Sequence, residues 1–96
     1  MIYEWDAAKA SANLRKHKVS FAEAASVFLD PLALSFFDPD HSDEEDRELT
    51  IGISSRKRAL FVSHYERGER IRIISARKAT RKERLQYEKN ISKESR

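Results

Sequence analysis

The stretch from Arg70 to Tyr87, RIRIISARKATRKERLQY, leaves this chain the least freedom. An isoleucine-rich run of strand character leads to Thr80, a helix N-cap residue, with Glu83 three positions later. This is a capping box, in which the two side chains reciprocally satisfy backbone N–H groups at the start of a helix. The unit therefore reads as a strand over 70–77, a short turn and a closing helix over 81–91. Alternation puts Ile71, Ile73, Ser75 and Arg77 on one face of the strand and Arg70, Arg72, Ile74 and Ala76 on the other. Both faces are partly apolar, as in a central strand. Only a bulge would bring Arg72 and Arg77 to the same face. Six arginines crowd the unit and its approach: Arg67, Arg70, Arg72, Arg77, Arg81 and Arg84. Arginine offers a planar fork of donors that matches phosphate oxygens.

The preceding chain supplies the rest of one small domain. Residues 2–5, IYEW, read as a short first strand, with Trp5 as a core anchor. Asp6 is a good N-cap for an alanine-rich helix over 7–17, whose thin apolar stripe is Ala7, Ala10 and Leu14. Lys9, Asn13 and Lys16 take the opposite face. The cations Arg15, Lys16 and His17 suit the negative end of the helix dipole, and Lys16 or His17 is also a candidate RNA-contacting edge. Ser20 and Glu23 form a second capping box. Phe21, Ala24, Ala25 and Phe28 follow at helical spacing, and Asp30-Pro31 ends that helix.

Four strands complete the pattern, at 32–37, 47–54, 59–66 and 70–77. In 47–54, Leu49, Ile51 and Ile53 read as the core face and Glu48, Thr50, Gly52 and Ser54 as the outer one. His64 shares a face with Leu60 and Val62 and reads as a histidine at the edge of the core. Leu85, Tyr87 and Ile91 are the packing residues of the last helix, and the tail from about residue 90 is expected to fray. The order of elements predicts an α+β fold with a small, largely antiparallel sheet, packed by two N-terminal helices and a C-terminal helix. Ninety-six residues make a single domain, 1–96, because two would each be too small for a core.

Charge narrows the function. Residues 38–46, DPDHSDEED, hold six acids, so a total of +3 leaves +9 on the rest. A basic body with one acidic loop points to a polyanion partner, nucleic acid first. The loop does not fit a calcium site, because its sixth and twelfth positions are Asp43 and Leu49 where glycine and glutamate are needed. His41 has no second histidine at a metal-binding spacing. With no cysteine, there is no disulfide framework. No apolar run approaches the roughly 20 residues of a membrane span, and the N-terminus lacks the form of a signal peptide, so a cytoplasmic protein is expected.

Three segments resemble the BrnT toxins of bacterial type II toxin–antitoxin modules. They are EWDAAKASANLRKHKVSFAEAASVFLDP, Asp46 to Gly52, and IRIISARKATRKERLQYE. The patterns WD-x-x-K-x-x-x-N-x-x-KH and ISAR-x-A-T-x-x-E-R-x-x-Y carry the likeness together. Lys18 departs from the family's usual glycine after the KH pair, which suggests a different helix C-cap. The resemblance implies a RelE-like fold and an endoribonuclease that cleaves mRNA and stops growth, with no cofactor and no metal. It also implies a BrnA-like antitoxin that covers the toxin in a heterotetramer and alone contacts DNA.

Metal-free RNA cleavage needs a base for the 2′-hydroxyl, an acid for the leaving oxygen, and fixed cations around the phosphorus. The three histidines, His17, His41 and His64, show no pairing at helical or strand spacing. By analogy with RelE-like enzymes, Arg77 would clamp the transition state, and Arg72 and Arg67 would hold flanking phosphates. Lys16 or His17 would move the proton, and Tyr87 would orient substrate or act as the acid. Arg81 and Arg84 would add RNA contacts. Two competing readings are a non-enzymatic nucleic-acid-binding module and a metal-dependent nuclease using Asp43, Glu44, Glu45 and Asp46.

Overall fold

The computed structural model describes residues 1–40 and 46–94. Strand β1 (Ile2–Glu4) is followed by helices α1 (Ala7–His17) and α2 (Phe21–Ser26) and a 3-10 turn, Val27–Leu29. Then come β2 (Leu34–Phe37), β3 (Arg47–Ile53), β4 (Ala59–Arg67), β5 (Arg70–Lys78) and α3 (Arg81–Glu94). The caps expected from sequence form: Asp6 accepts from the Lys9 N–H, Ser20 from Glu23, and Thr80 from Glu83.

The five strands make one sheet in the order β1-β5-β4-β3-β2. Successive strands from β2 to β5 are antiparallel, as short connections require, but β1 pairs parallel to β5. The sheet is therefore mixed: largely antiparallel, as expected from sequence, with the parallel β1 a correction to a wholly antiparallel sheet. No hairpin fixes the direction of β1, because helices separate it from the next strand.

Helices α1 and α2 pack on β5, and α3 packs on β3. Val19, Phe21, Ala24 and Val27 meet Leu60, Val62, Ile71, Ile73 and Ala76 in the main core. Burying each large side chain there contributes about 1.5–3 kcal/mol. Strand β3 is covered on both sides, which overturns its predicted polar face. Thr50 and Gly52 are buried along with Ile51. Gly52 lies so close to the 3-10 turn that a Cβ there would sit 2.8 Å from Val27 Cγ1. Thr50 is satisfied by Ser35 and His64, and Ser54 by Glu23, so their polarity does not oppose burial.

Other single-residue expectations change as well. Helix α1 faces the sheet with Ala10 and Asn13, while Leu14 is exposed. Trp5 is partly exposed and meets Phe21 edge-on at 6.0 Å. Leu85 is exposed, whereas Tyr87 is buried. His64 lies fully in the core, edge-on to Phe28 at 4.7 Å. Burial pushes its imidazole down to about 4, so it is neutral at physiological pH. Lys18 adopts φ 60°, ψ 31° and its N–H bonds to the Leu14 carbonyl, so a lysine builds the left-handed cap that glycine favours.

Candidate nucleic-acid interface

The geometry of the basic face depends on one extra residue in β5. Ser63 pairs with Ser75 and His64 with Ile73, so Ile74 has no cross-strand partner and forms a bulge. Side-chain alternation is reset at that point. Arg72 stands opposite Tyr65, and Arg77 stands opposite Phe61. Phe61 and Tyr65 are four apart on regular β4 and share a face, so Arg72 and Arg77 share it too.

Beside the bulge the surface folds into a groove. Asp6, Lys9, Arg47, Tyr65 and Arg72 line one part of it, together with Ile73 and Ile74. Lys9, Asn13, Lys16, His17, Ile74 and Ser75 line the adjoining part. Lys9 and Ile74 border both, so α1 and β5 present two adjoining concavities, basic apart from Asp6. Among the described residues, no carboxylate is ion-paired with Arg72, Lys9 or Lys16. Arg67 adds a cation 5.0 Å above the Tyr65 ring.

Asn13 holds the two walls together. Strand β1 covers the outer edge of β5 only from Arg70 to Arg72. Further along that strand, Asn13 Nδ2 donates to the Ala76 carbonyl at 2.8 Å, and Oδ1 accepts the Ala76 N–H at 3.1 Å. Nδ2 also donates to the Val19 carbonyl at 3.0 Å. One amide thus replaces a missing neighbouring strand and closes the end of α1. The sequence reading put Asn13 on the solvent face. The signal for its role was the spacing of Lys9, Asn13, Lys16 and His17, which lie on one side of a helix.

The remaining candidates lie apart from the groove. Arg77 stacks over Phe61 at 4.2 Å and makes two hydrogen bonds to the Glu83 carboxylate, at 2.8 and 2.9 Å. Those bonds hold the guanidinium above its ordinary pKa. Burial pushes the Glu83 carboxyl up, but the bonds from Arg77 and from the Thr80 N–H outweigh it and keep it ionised. Tyr87 donates to Asp30 Oδ2 at 2.6 Å. Burial and that bond push its hydroxyl up to about 12, far from the range that suits proton transfer at neutral pH. Asp30 also caps the Ile53 N–H, so Tyr87 ties α3 to β3 and the 3-10 turn. Arg81 and Arg84 are exposed on α3. His41, Asp43, Glu44 and Glu45 lie outside the described residues; Asp46 is exposed.

The model of the family described as "Ribonuclease toxin, BrnT, of type II toxin-antitoxin system" matches residues 5–83. That span holds the whole groove and ends at the Arg77 partner. The chain is also similar to the crystal structure of the Brucella abortus ribonuclease toxin BrnT. The identity is 25%, the match covers 84% of this chain and 100% of that one, and the TM-score is 0.65. No curated protein matches.

Proposed function

Because the chain belongs to the BrnT ribonuclease toxins of type II toxin–antitoxin systems, we propose that it is a metal-independent endoribonuclease that cleaves mRNA and arrests growth. One observation carries this reading. The bulge and α1 together gather Arg72, Lys9, Lys16 and His17 along a groove that holds one described carboxylate, Asp6, whose side chain accepts from the Lys9 backbone N–H and makes no described ion pair with these cations. Arg72 holds the scissile phosphate and stabilises the charge that builds on its oxygens. Lys16 or His17 takes the proton of the 2′-hydroxyl. The 2′-oxygen bonds to phosphorus, the bond to the 5′-oxygen breaks, and the departing oxygen receives a proton. The products are a 2′,3′-cyclic phosphate and a 5′-hydroxyl.

Arg67 stacks on Tyr65 and guides a flanking phosphate, with Arg81 and Arg84 further along the strand of RNA. Arg77 takes the lesser part, because a substrate phosphate must compete with Glu83 for its guanidinium. Tyr87 serves the fold. The fold is of the RelE-like kind. The natural inhibitor is a BrnA-like antitoxin, two copies of which bind two toxins in a heterotetramer and make its only contact with operator DNA. The site of action is the cytoplasm.

A non-enzymatic RNA-binding module is the second reading, favoured by the commitment of Arg77 and Tyr87 to Glu83 and Asp30. Induced expression separates the two. The wild type should arrest growth and degrade RNA, and purified protein should cut RNA in EDTA. Arg72→Ala should slow cleavage on the order of 10²-fold, as for loss of one donor to a transition-state oxyanion. Full toxicity of Arg72→Ala would overturn the placement of the site, and a soluble wild type that binds RNA without cutting it would leave only the module.

A further inference from the structure

Among the described residues, just two non-glycine positions have a positive φ, and both are lysines: Lys18 at 60° and Lys57 at 64°. The left-handed region is strained for any side chain with a Cβ and costs glycine nothing. Lys18 caps α1, and Lys57 closes the β3–β4 turn, where its N–H bonds to the Ser54 carbonyl at 2.9 Å. Glycine would satisfy the backbone at either place. The helix dipole gives Lys18 a partial compensation, but Lys57 lies on no helix.

Arg58 links the two segments that carry these lysines. Arg58, next to Lys57, donates from Nη2 to the Lys18 carbonyl at 3.0 Å. Its own charge is balanced by the buried Glu23 carboxylate, which it meets through Nε and Nη2. Among the described ion pairs none involves Lys18 or Lys57, and exposed Arg56, next to Lys57 in the chain, has only a 3.9 Å contact to Glu23. Lys57 and Arg58 also border a concavity with Lys78, Arg84 and one carboxylate, Glu88. Lys18 directly follows His17, which lines the groove at the bulge. From Arg72 to Lys78, β5 spans about 20 Å at about 3.3 Å per residue, enough for several phosphates.

We propose that Lys18 and Lys57 form a second phosphate subsite, which receives the backbone of a single-stranded RNA as it leaves the groove. The inference rests on the RNA reading given above. Lysine suits this task because a point charge meets a backbone phosphate without a fixed geometry. Lysine is depleted at protein–protein interfaces, which argues against a protein as the occupant.

The test uses a fluorescent RNA oligonucleotide with 2′-O-methyl groups, which has no nucleophile and so binds without being cut. Anisotropy titrations over a range of salt compare the wild type with the double variant Lys18→Gly/Lys57→Gly. A charge-matched control is Lys82→Gln/Lys89→Gln on the exposed side of α3. The glycine pair should bind about tenfold more weakly, and its log–log salt slope should fall by about 1.4, two phosphates at about 0.7 each. Its melting temperature should hold or rise, since glycine relieves both strained positions. The control should change affinity less than about twofold, well inside one tenfold step. Equal weakening of the two doubles, or no weakening of the glycine pair, would overturn the subsite. RNA binding that is unchanged while poly-glutamate binding is lost would make the patch a protein-docking site instead. Failure of the wild type to bind RNA would remove the ribonuclease reading as well. RNA binding weakened by Arg72→Ala but not by the glycine pair would remove the subsite alone.

Discussion

Replacing Asn13 with alanine removes three hydrogen bonds at once. Two of them serve the N–H and carbonyl of Ala76, which is 1% exposed and lies past the reach of β1. A buried backbone group left without a partner costs about 1–3 kcal/mol. The lost bond to the Val19 carbonyl adds to this and some water entry offsets it, so a loss of about 3 kcal/mol is expected. For a domain of this size that lowers the melting temperature on the order of 15 °C, at 4–8 °C per kcal/mol. Thermal and urea unfolding followed by circular dichroism measure it directly. Asn13→Asp should do no better, since it keeps the acceptor for the Ala76 N–H but turns a carboxylate toward two carbonyls. Because Asn13 joins α1 to β5, RNA cleavage by folded Asn13→Ala should also fall, as Lys9, Lys16 and His17 lose their register with Arg72. A stability loss below about 0.5 kcal/mol, the range of ordinary surface changes, would refute the reasoning.

Other perturbations test the rest of the frame. His64 is neutral when folded and protonates near 4, against about 6.5 when unfolded. The unfolded chain therefore binds the extra proton, and stability should fall by about 3 kcal/mol as pH drops from 6.5 to 4. Glu48, whose carboxyl burial and the Glu66 charge push up, works the other way, so the difference in melting temperature between wild type and His64→Gln across that range is the diagnostic. Tyr87→Phe should cost about 1.5 kcal/mol for the bond to the Asp30 carboxylate and leave the cleavage rate of folded protein unchanged, and a rate loss would return Tyr87 to the chemistry. Gly52→Ala should cost about 1–3 kcal/mol in urea unfolding, because its Cβ would meet Val27 Cγ1 at 2.8 Å and Ala33 Cβ at 3.1 Å.

Local chemistry was the legible part of the sequence. Caps at Asp6, Ser20 and Thr80 and the alternation in β4 mark their elements through contacts within a few residues. What the sequence hid depends on partners far along the chain. Thr50 reads as an outward residue because its satisfaction by Ser35 and His64 is invisible before the strands pair. Asn13 reads as a solvent residue because its partner, Ala76, is 63 positions away. Leu14 reads as core because the helix stripe was drawn from apolarity alone, whereas α1 turns its amide inward. Arg72 and Arg77 could be joined only by a bulge, and nothing in the residue types of RIRIISARK fixes where a ladder will slip.

The bulge at Ile74 links these observations. Without it, regular alternation would put Arg72 and Arg77 on opposite faces, and Ile73 and Ala76 could not both point to the helices. The extra residue reconciles an apolar face for α1 and α2 with a face that bears Arg72 and Arg77 together. Past Arg72, where β1 ends, the outer edge of β5 is open, which leaves the backbone of Ala76 in need of a partner on that side. Asn13 supplies that partner and in doing so brings Lys9, Lys16 and His17 against the slip. Glu83 then divides the arginines of β5 by role. It fastens Arg77 to the start of α3 through the same carboxylate that caps the helix, and Arg72 remains for the groove. An ion pair in water is worth little, but this one is half-buried, bidentate and shared with a cap, so a substrate phosphate displaces it only at the expense of the α3 N-terminus. Under the proposed function, that coupling favours Arg72 over Arg77 as the anchor for a phosphate that must bind and leave at each turnover.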